Sequence, residues 1–104
     1  MNKVIFNTTF CVPNDSYDDF ISWLKSEFIS SVTASGVMSS PVLARVLSDT
    51  QLGPDGVALS LQLRAESHSV LSEWQKHEWQ QHLSAIASRY GTKVLYFSTV
   101  MELI

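Results

Sequence analysis

Residues 4–12 read V-I-F-N-T-T-F-C-V, from Val4 to Val12, and this stretch decides the fold. β-Branched and aromatic residues dominate it. Val4, Phe6, Phe10 and Val12 recur on one side at period two, the pattern of a strand that turns that side to a core. The other side carries Ile5, Asn7, Thr9 and Cys11. That is neither the charged side of a solvated strand nor the unbroken apolar run of a strand buried on both faces. It calls for a cover that tolerates polarity.

Working outward, C-V-P-N-D-S-Y-D-D-F is a helix start. Asn14, Asp15 or Ser16 can cap it, Ser16 and Asp19 have capping-box spacing, and Asp18 and Asp19 suit the positive end of the helix dipole. Tyr17, Phe20, Ile21, Leu24, Phe28 and Val32 then form an apolar stripe, with Trp23 and Ile29 at its margin. The helix is expected to end near Ala34 or Ser35, with Gly36 as terminator. Met38 to Asp49 reads as a second strand. Pro41 lacks a ladder donor, so that strand belongs at a sheet edge. Gly53, Pro54, Asp55 and Gly56 make a turn. Val57 to Glu66 alternates cleanly, with Val57, Leu59, Leu61, Leu63 and Ala65 on one side and Ala58, Ser60, Gln62, Arg64 and Glu66 on the other. Ser67 or Ser69 caps a second helix running to about Tyr90, with Gly91 after it. Thr92 to Ile104 reads as a fourth strand, apolar on both faces.

The order βαββαβ, with long connections, predicts an α+β ferredoxin-like sandwich: a four-stranded antiparallel sheet with both helices on one face. A chain of 104 residues is expected to be one domain, residues 1–104, large enough to fold without disulfide or metal. Seven Lys and Arg against ten Asp and Glu, with no basic cluster, exclude the electrostatic footprint of a nucleic-acid binder. No stretch approaches the ~18 apolar residues of a membrane span. Asn7, Thr8 and Thr9 interrupt the N-terminal apolar run short of a signal-peptide core. A lone Cys11 reads as a small buried hydrophobe and fits a reducing compartment, so a cytoplasmic location is expected.

Charged residues are only 16% of the chain while 45% is hydrophobic, which leaves too little charge to cover so small a domain. Part of its surface is therefore expected to be buried against a second subunit. The sheet face away from the helices is the natural place. It is expected to carry Ile5, Asn7, Thr9, Cys11, Ser60, Gln62 and Arg64, with Arg45 joining beside Leu43 and Leu47. Strand four adds either Leu95, Phe97, Thr99 and Met101 or Val94, Tyr96, Ser98 and Val100. Apolar side chains mixed with uncharged polar ones make a poor water-facing surface. A face-to-face homodimer, two sheets closing into a barrel, is the economical cover.

Short motifs spread along the chain also carry a resemblance. Phe6-Asn7, Trp23-Leu24-Lys25, Ala34-Ser35-Gly36, Arg45-Val46-Leu47 and Arg89-Tyr90-Gly91, followed by Phe97, Thr99 and Glu102, are similar to an uncharacterised bacterial family, domain of unknown function 4286. The resemblance implies a small dimeric α/β-barrel protein and brings no catalytic residues with it.

Glycine-rich phosphate loops, zinc-ligand spacings and a serine nucleophile elbow are all missing from the sequence. Two constellations deserve weighing. Asn7, Arg45, Ser60, Gln62 and Arg64 could form an anion or polar-ligand site on the open sheet face, or the arginines could pair with Glu66, Glu102 or Asp49. A buried guanidinium left unpaired would cost about 3–5 kcal/mol. Glu78 and His82, four apart on the second helix, could orient an imidazole for acid/base work, or form a satisfied core pair. By analogy with haem-degrading and cofactor-free monooxygenases of similar architecture, Asn7, Trp74 and either His77 or His82 could form a haem or oxygenase site. Fold analogy alone is weak warrant for that. The sequence thus points first to a non-enzymatic or weakly ligand-binding homodimer without cofactor. A monooxygenase-like or isomerase-like enzyme using the barrel interior is the rival.

Overall fold

A computed structural model describes residues 3–47 and 56–104. The first strand, β1 (Val4–Pro13), is followed by a 3₁₀ turn over Asn14–Ser16 and then by helix α1. This helix is α-helical over Tyr17–Trp23, widens to a π-helix over Leu24–Phe28, and returns to α-helix over Ile29–Thr33. Strands β2 (Ser39–Arg45) and β3 (Gly56–Ala65), helix α2 (His68–Tyr90) and strand β4 (Leu95–Glu102) complete the order. The sheet is antiparallel throughout, with strand order β2-β3-β1-β4, so Pro41 does lie on an edge strand. This is the ferredoxin-like α+β fold that the sequence predicts.

β1 holds the centre, as its pattern requires. Its exposure alternates strictly along the strand, with Val4, Phe6, Thr8, Phe10 and Val12 buried toward the helices. Phe6 is fully buried and meets Trp74 and Trp79 edge-on, at ring-centroid distances of 5.8 and 5.1 Å. Phe10 meets Phe20 at 5.3 Å. Each such side chain contributes about 1.5–3 kcal/mol by burial, and edge-to-face pairing adds about 0.5–1.5 kcal/mol. Thr8, the polar residue on this side, is satisfied by Ser98 at 2.9 Å.

The π-turn in α1 has a cause in the sequence. Phe20, Leu24, Phe28 and Val32 are all buried and repeat every four residues. On a helix of about 3.6 residues per turn such a repeat drifts off its face. One wider turn takes up part of that drift. It also brings Trp23 within 5.1 Å of the Phe28 ring, which carries a residue expected at the margin into the core.

The helix ends follow different rules. Ser67 caps α2, its hydroxyl accepting the Val70 N–H at 3.3 Å, whereas Ser16 makes no side-chain cap bond to α1 and donates to Asp15 instead. Gly36 and Gly91 terminate the helices with φ of 78° and 59°. Tyr90 donates to Asp19 at 2.6 Å and so ties the end of α2 to the start of α1.

The second strand departs from expectation in one decisive respect. Ser39 pairs with Arg64, but Val42 pairs with Gln62, so three steps along β2 match two along β3. The extra residue is a β-bulge, with Ser40 in the left-handed region at φ 54° beside Pro41. Met38 is buried and Leu43 packs on the same core, yet they are five residues apart. An odd spacing on one face needs one residue to be skipped. The bulge therefore inverts the parity of everything after it. Leu43 and Arg45 stand opposite Leu61 and Leu59 on the helix side, not on the open face where the sequence reading put them, and Val42 and Ala44 take those places.

Strand boundaries also shrink. β2 starts at Ser39 rather than Met38, and β4 runs from Leu95 rather than Thr92, because Val94 turns into the core. β2 also stops at Arg45, short of the expected Asp49, with Val46 and Leu47 already outside the strand, while Asp49 itself and the turn residues Gly53, Pro54 and Asp55 lie outside the described residues.

Candidate functional site

The sheet face away from the helices is built in rows, because residues opposed across an antiparallel ladder share a face. Asn7 lies between Gln62 and Thr99, and Val42 extends that row on β2. Thr9 lies between Ser60 and Phe97, with Ala44 beyond Ser60. Ile5 separates Arg64 from Met101, and Cys11 separates Ala58 from Leu95. Strand four thus contributes Leu95, Phe97, Thr99 and Met101, the first of the two parities open to it.

The face has a neutral polar centre and an apolar margin. Ser60 donates to the Asn7 carbonyl oxygen at 2.5 Å, and the Asn7 amide reaches Thr9 at 3.4 Å. Gln62 and Thr99 flank this pair. Around it, Val42, Leu95 and Phe97 are 54%, 61% and 58% exposed, and Met101 is 39% exposed. In projection, four strands about 4.8 Å apart and eight residues of about 3.3 Å make a patch of roughly 500 Å².

Of the five residues expected in a polar site here, Asn7, Ser60, Gln62 and Arg64 share the face. Arg45 does not, for the reason given by the bulge. Arg64 sits toward one end, exposed, and makes no ion pair among the described residues. Glu66, one of its candidate partners, lies 3.9 Å from Lys3. Glu102 stands opposite Val4 on the helix side, and Asp49 is outside the described residues. The sequence reading missed Val42 and Ala44 on this face. The odd Met38 to Leu43 spacing beside Pro41 was the available signal.

The second constellation stays on the helix side but is not joined into an acid/base pair. His82 lies on the helix side, with Phe28, Trp74 and Trp79 at ring-centroid distances of 5.8, 6.0 and 6.3 Å. Burial among these rings lowers its pKa, and nearby Glu78 opposes that shift without overcoming it. Glu78 itself accepts from Ser35 at 3.3 Å, and no hydrogen bond joins it to His82 among the described residues. Trp74 is packed in the core, while His77 is exposed and 3.6 Å from Glu73. Asn7 is on the other side of the sheet from Trp74 and His82. Among the described residues no group of three or more His, Cys, Asp or Glu is arranged to hold a metal ion. Nor is any described helix long and apolar enough to cross a membrane.

Comparison with solved structures agrees with the architecture. An ethyl tert-butyl ether d (ethd) family protein from Bacillus halodurans superposes with a TM-score of 0.72 at 13% identity, covering 98% of this chain and 99% of that one. A dimeric ferredoxin-like protein from an uncultured marine organism gives 0.62 at 8% identity, over 100% and 97% of the two chains. A protein named as a candidate antibiotic biosynthesis monooxygenase from Bacillus cereus gives 0.61 at 14% identity, over 99% and 94%. At such identities the likeness is one of fold. No curated protein matches the sequence. The family model described as Domain of unknown function (DUF4286) matches residues 3–104, and the chain belongs to that family.

Proposed function

We propose that the chain works as a homodimer whose two open sheet faces close on one another, and that the enclosed polar centre binds a small polar ligand rather than transforming it. The chemistry of that face carries the reading. Asn7, Thr9, Ser60, Gln62 and Thr99 each offer both a donor and an acceptor, so the same patch on a second copy can satisfy them without any charge. The apolar margin supplies the burial that holds the copies together. Arg64, toward the end of the face, gives an anionic group on a ligand a partner. None of the five central side chains titrates near neutral pH, which favours recognition over acid/base chemistry. The structural relatives described as dimeric are consistent with this assembly.

A structure of the assembled protein tests the ligand half of the reading. A cavity of about 300 Å³ or more beside Asn7 and Gln62 is expected. A dry interior filled by side chains would reduce the face to an interface alone. Some structural relatives carry the monooxygenase name, and an oxygenase is the competing reading. Of its residues, Trp74 lies against His82 with ring centroids 6.0 Å apart and lines a surface groove together with His77, but Asn7 is on the opposite side of the sheet, so the four do not converge on one site. Haemin titration decides the haem version, since a Soret shift lost on substituting His77 and His82 would revive it.

A further inference from the structure

The last strand of the sheet is an open edge. β4 ends the order β2-β3-β1-β4, so one side of its backbone pairs with β1 and the other, among the described residues, has no strand beside it. Its pairing with β1 runs from Leu95 to Glu102 without a register shift, and no proline or glycine interrupts it. The opposite edge is blunted, because β2 carries Pro41 and the bulge at Ser40, devices that keep further strands from adding. β4 has neither. Its helix side is also uncovered: Tyr96 and Val100 stand opposite Phe10 and Phe6, yet they are 41% and 38% exposed. Beside them a concavity of about 410 Å³ lies between the C-terminal end of α2 and the start of β4, with Ile86, Ala87, Val94 and Tyr96 in its lining.

We propose that β4 receives an extended segment of a partner protein as a fifth, antiparallel strand, with apolar side chains on its helix side and one of them seated in that concavity. A free edge presents alternate backbone N–H and C=O groups, and another extended backbone is what satisfies them in succession. The concavity supplies a pocket for an alternate side chain of the added strand, the feature that gives such pairing its specificity. Charge selects between a partner and a second copy. Glu102 is exposed and makes no ion pair among the described residues. β4 itself contains no basic residue, so a second β4 offers Glu102 no counter-charge in any register. A partner segment with Lys or Arg opposite Glu102 does, and opposite charges across a ladder stabilise it. The edge is the side of the strand and not its open face, so the inference does not depend on the face-to-face pairing.

The acetylated, amidated peptide Lys-Thr-Val-Thr-Val-Thr-Leu-Thr, laid antiparallel along β4, places its Lys opposite Glu102, its first Val opposite Val100 and its Leu opposite Tyr96. Titrated into the full chain and followed by NMR hydrogen exchange, it is expected to protect every second amide between Leu95 and Met101, saturably. The same peptide with Glu in place of its Lys is expected to bind about fivefold more weakly, and Val100→Lys in the protein to weaken the parent peptide by a similar factor. Absence of saturable protection would overturn the proposal, as would protection that does not alternate, which marks binding in the concavity alone. Alternating protection already present in the free chain and rising with protein concentration would give the edge to a second copy instead. Equal binding of the Lys and Glu peptides would also refute the assignment.

Discussion

Deleting Pro41 is expected to leave the protein folded and to stabilise it, although deletions inside strands ordinarily invert every side chain that follows. The bulge already spends one residue on an odd spacing. Without Pro41, Ser39 still pairs with Arg64, Ser40 falls opposite Leu63, and Val42 keeps Gln62, so Met38 and Leu43 both remain on the helix side. Ser40 then leaves the left-handed region it occupies at φ 54°, which relieves about 1–2 kcal/mol for an L-residue. A regular ladder position adds about 0.5–1.5 kcal/mol if its N–H finds a carbonyl. Against this, losing the proline frees the unfolded chain, at about 0.4–1 kcal/mol. The net is a gain of roughly 0.5–3 kcal/mol. Urea unfolding at fixed protein concentration reads it as a higher midpoint with an unchanged slope. Deleting Ser60 from the regular strand β3 is the control and is expected to abolish cooperative unfolding. A loss of more than about 1 kcal/mol on deleting Pro41 would refute the parity argument, and with it the placement of Val42 and Ala44 on the open face.

Other substitutions probe the remaining layers. Phe6→Ala removes a fully buried ring from between Trp74 and Trp79, and a loss of about 3–5 kcal/mol in denaturant unfolding is expected. His82 has its folded pKa depressed by burial, so below about pH 6.5 the unfolded chain takes up the proton first. Stability is therefore complete above that range and declines as pH falls toward the folded value, and His82→Phe is expected to flatten this part of the pH profile. Tyr90→Phe deletes the bond to Asp19 and is expected to cost about 0.5–1.5 kcal/mol by thermal or urea unfolding. Phe97→Asp puts a charge on the exposed apolar margin of the sheet. It is expected to leave far-ultraviolet dichroism intact while making the Cys11 thiol, on the same face, react faster with a disulfide reagent.

Strand-level periodicity made most of the fold legible. The alternation in Val4–Val12 and Val57–Glu66 depends only on which side of a pleat is wet, so both strands and their buried faces could be read directly. Gly36 and Gly91 marked helix ends because the backbone there needs a positive φ that glycine reaches without strain. Arg45 was misplaced because counting by twos assumes a regular strand, and the bulge at Ser40 and Pro41 breaks the count. The π-turn was equally hidden. A four-residue repeat such as Phe20, Leu24, Phe28 and Val32 looks like an ordinary amphipathic stripe until its drift is reckoned. The neutral polar centre was readable for Asn7, Ser60 and Gln62, which sit on regular strands. The lack of a hydrogen bond between Glu78 and His82 was not, since spacing along a helix puts groups near each other without saying which tertiary partner each prefers. Ser35 took Glu78, and aromatic rings took His82.

The central claim is that the open sheet face meets a second copy of itself. Multi-angle light scattering of the intact chain at micromolar concentration tests it most directly. The account predicts a mass of twice the 11.6 kDa chain, falling to the single-chain value in Phe97→Asp. A wild-type protein that elutes as a folded species at the mass of one chain would contradict it.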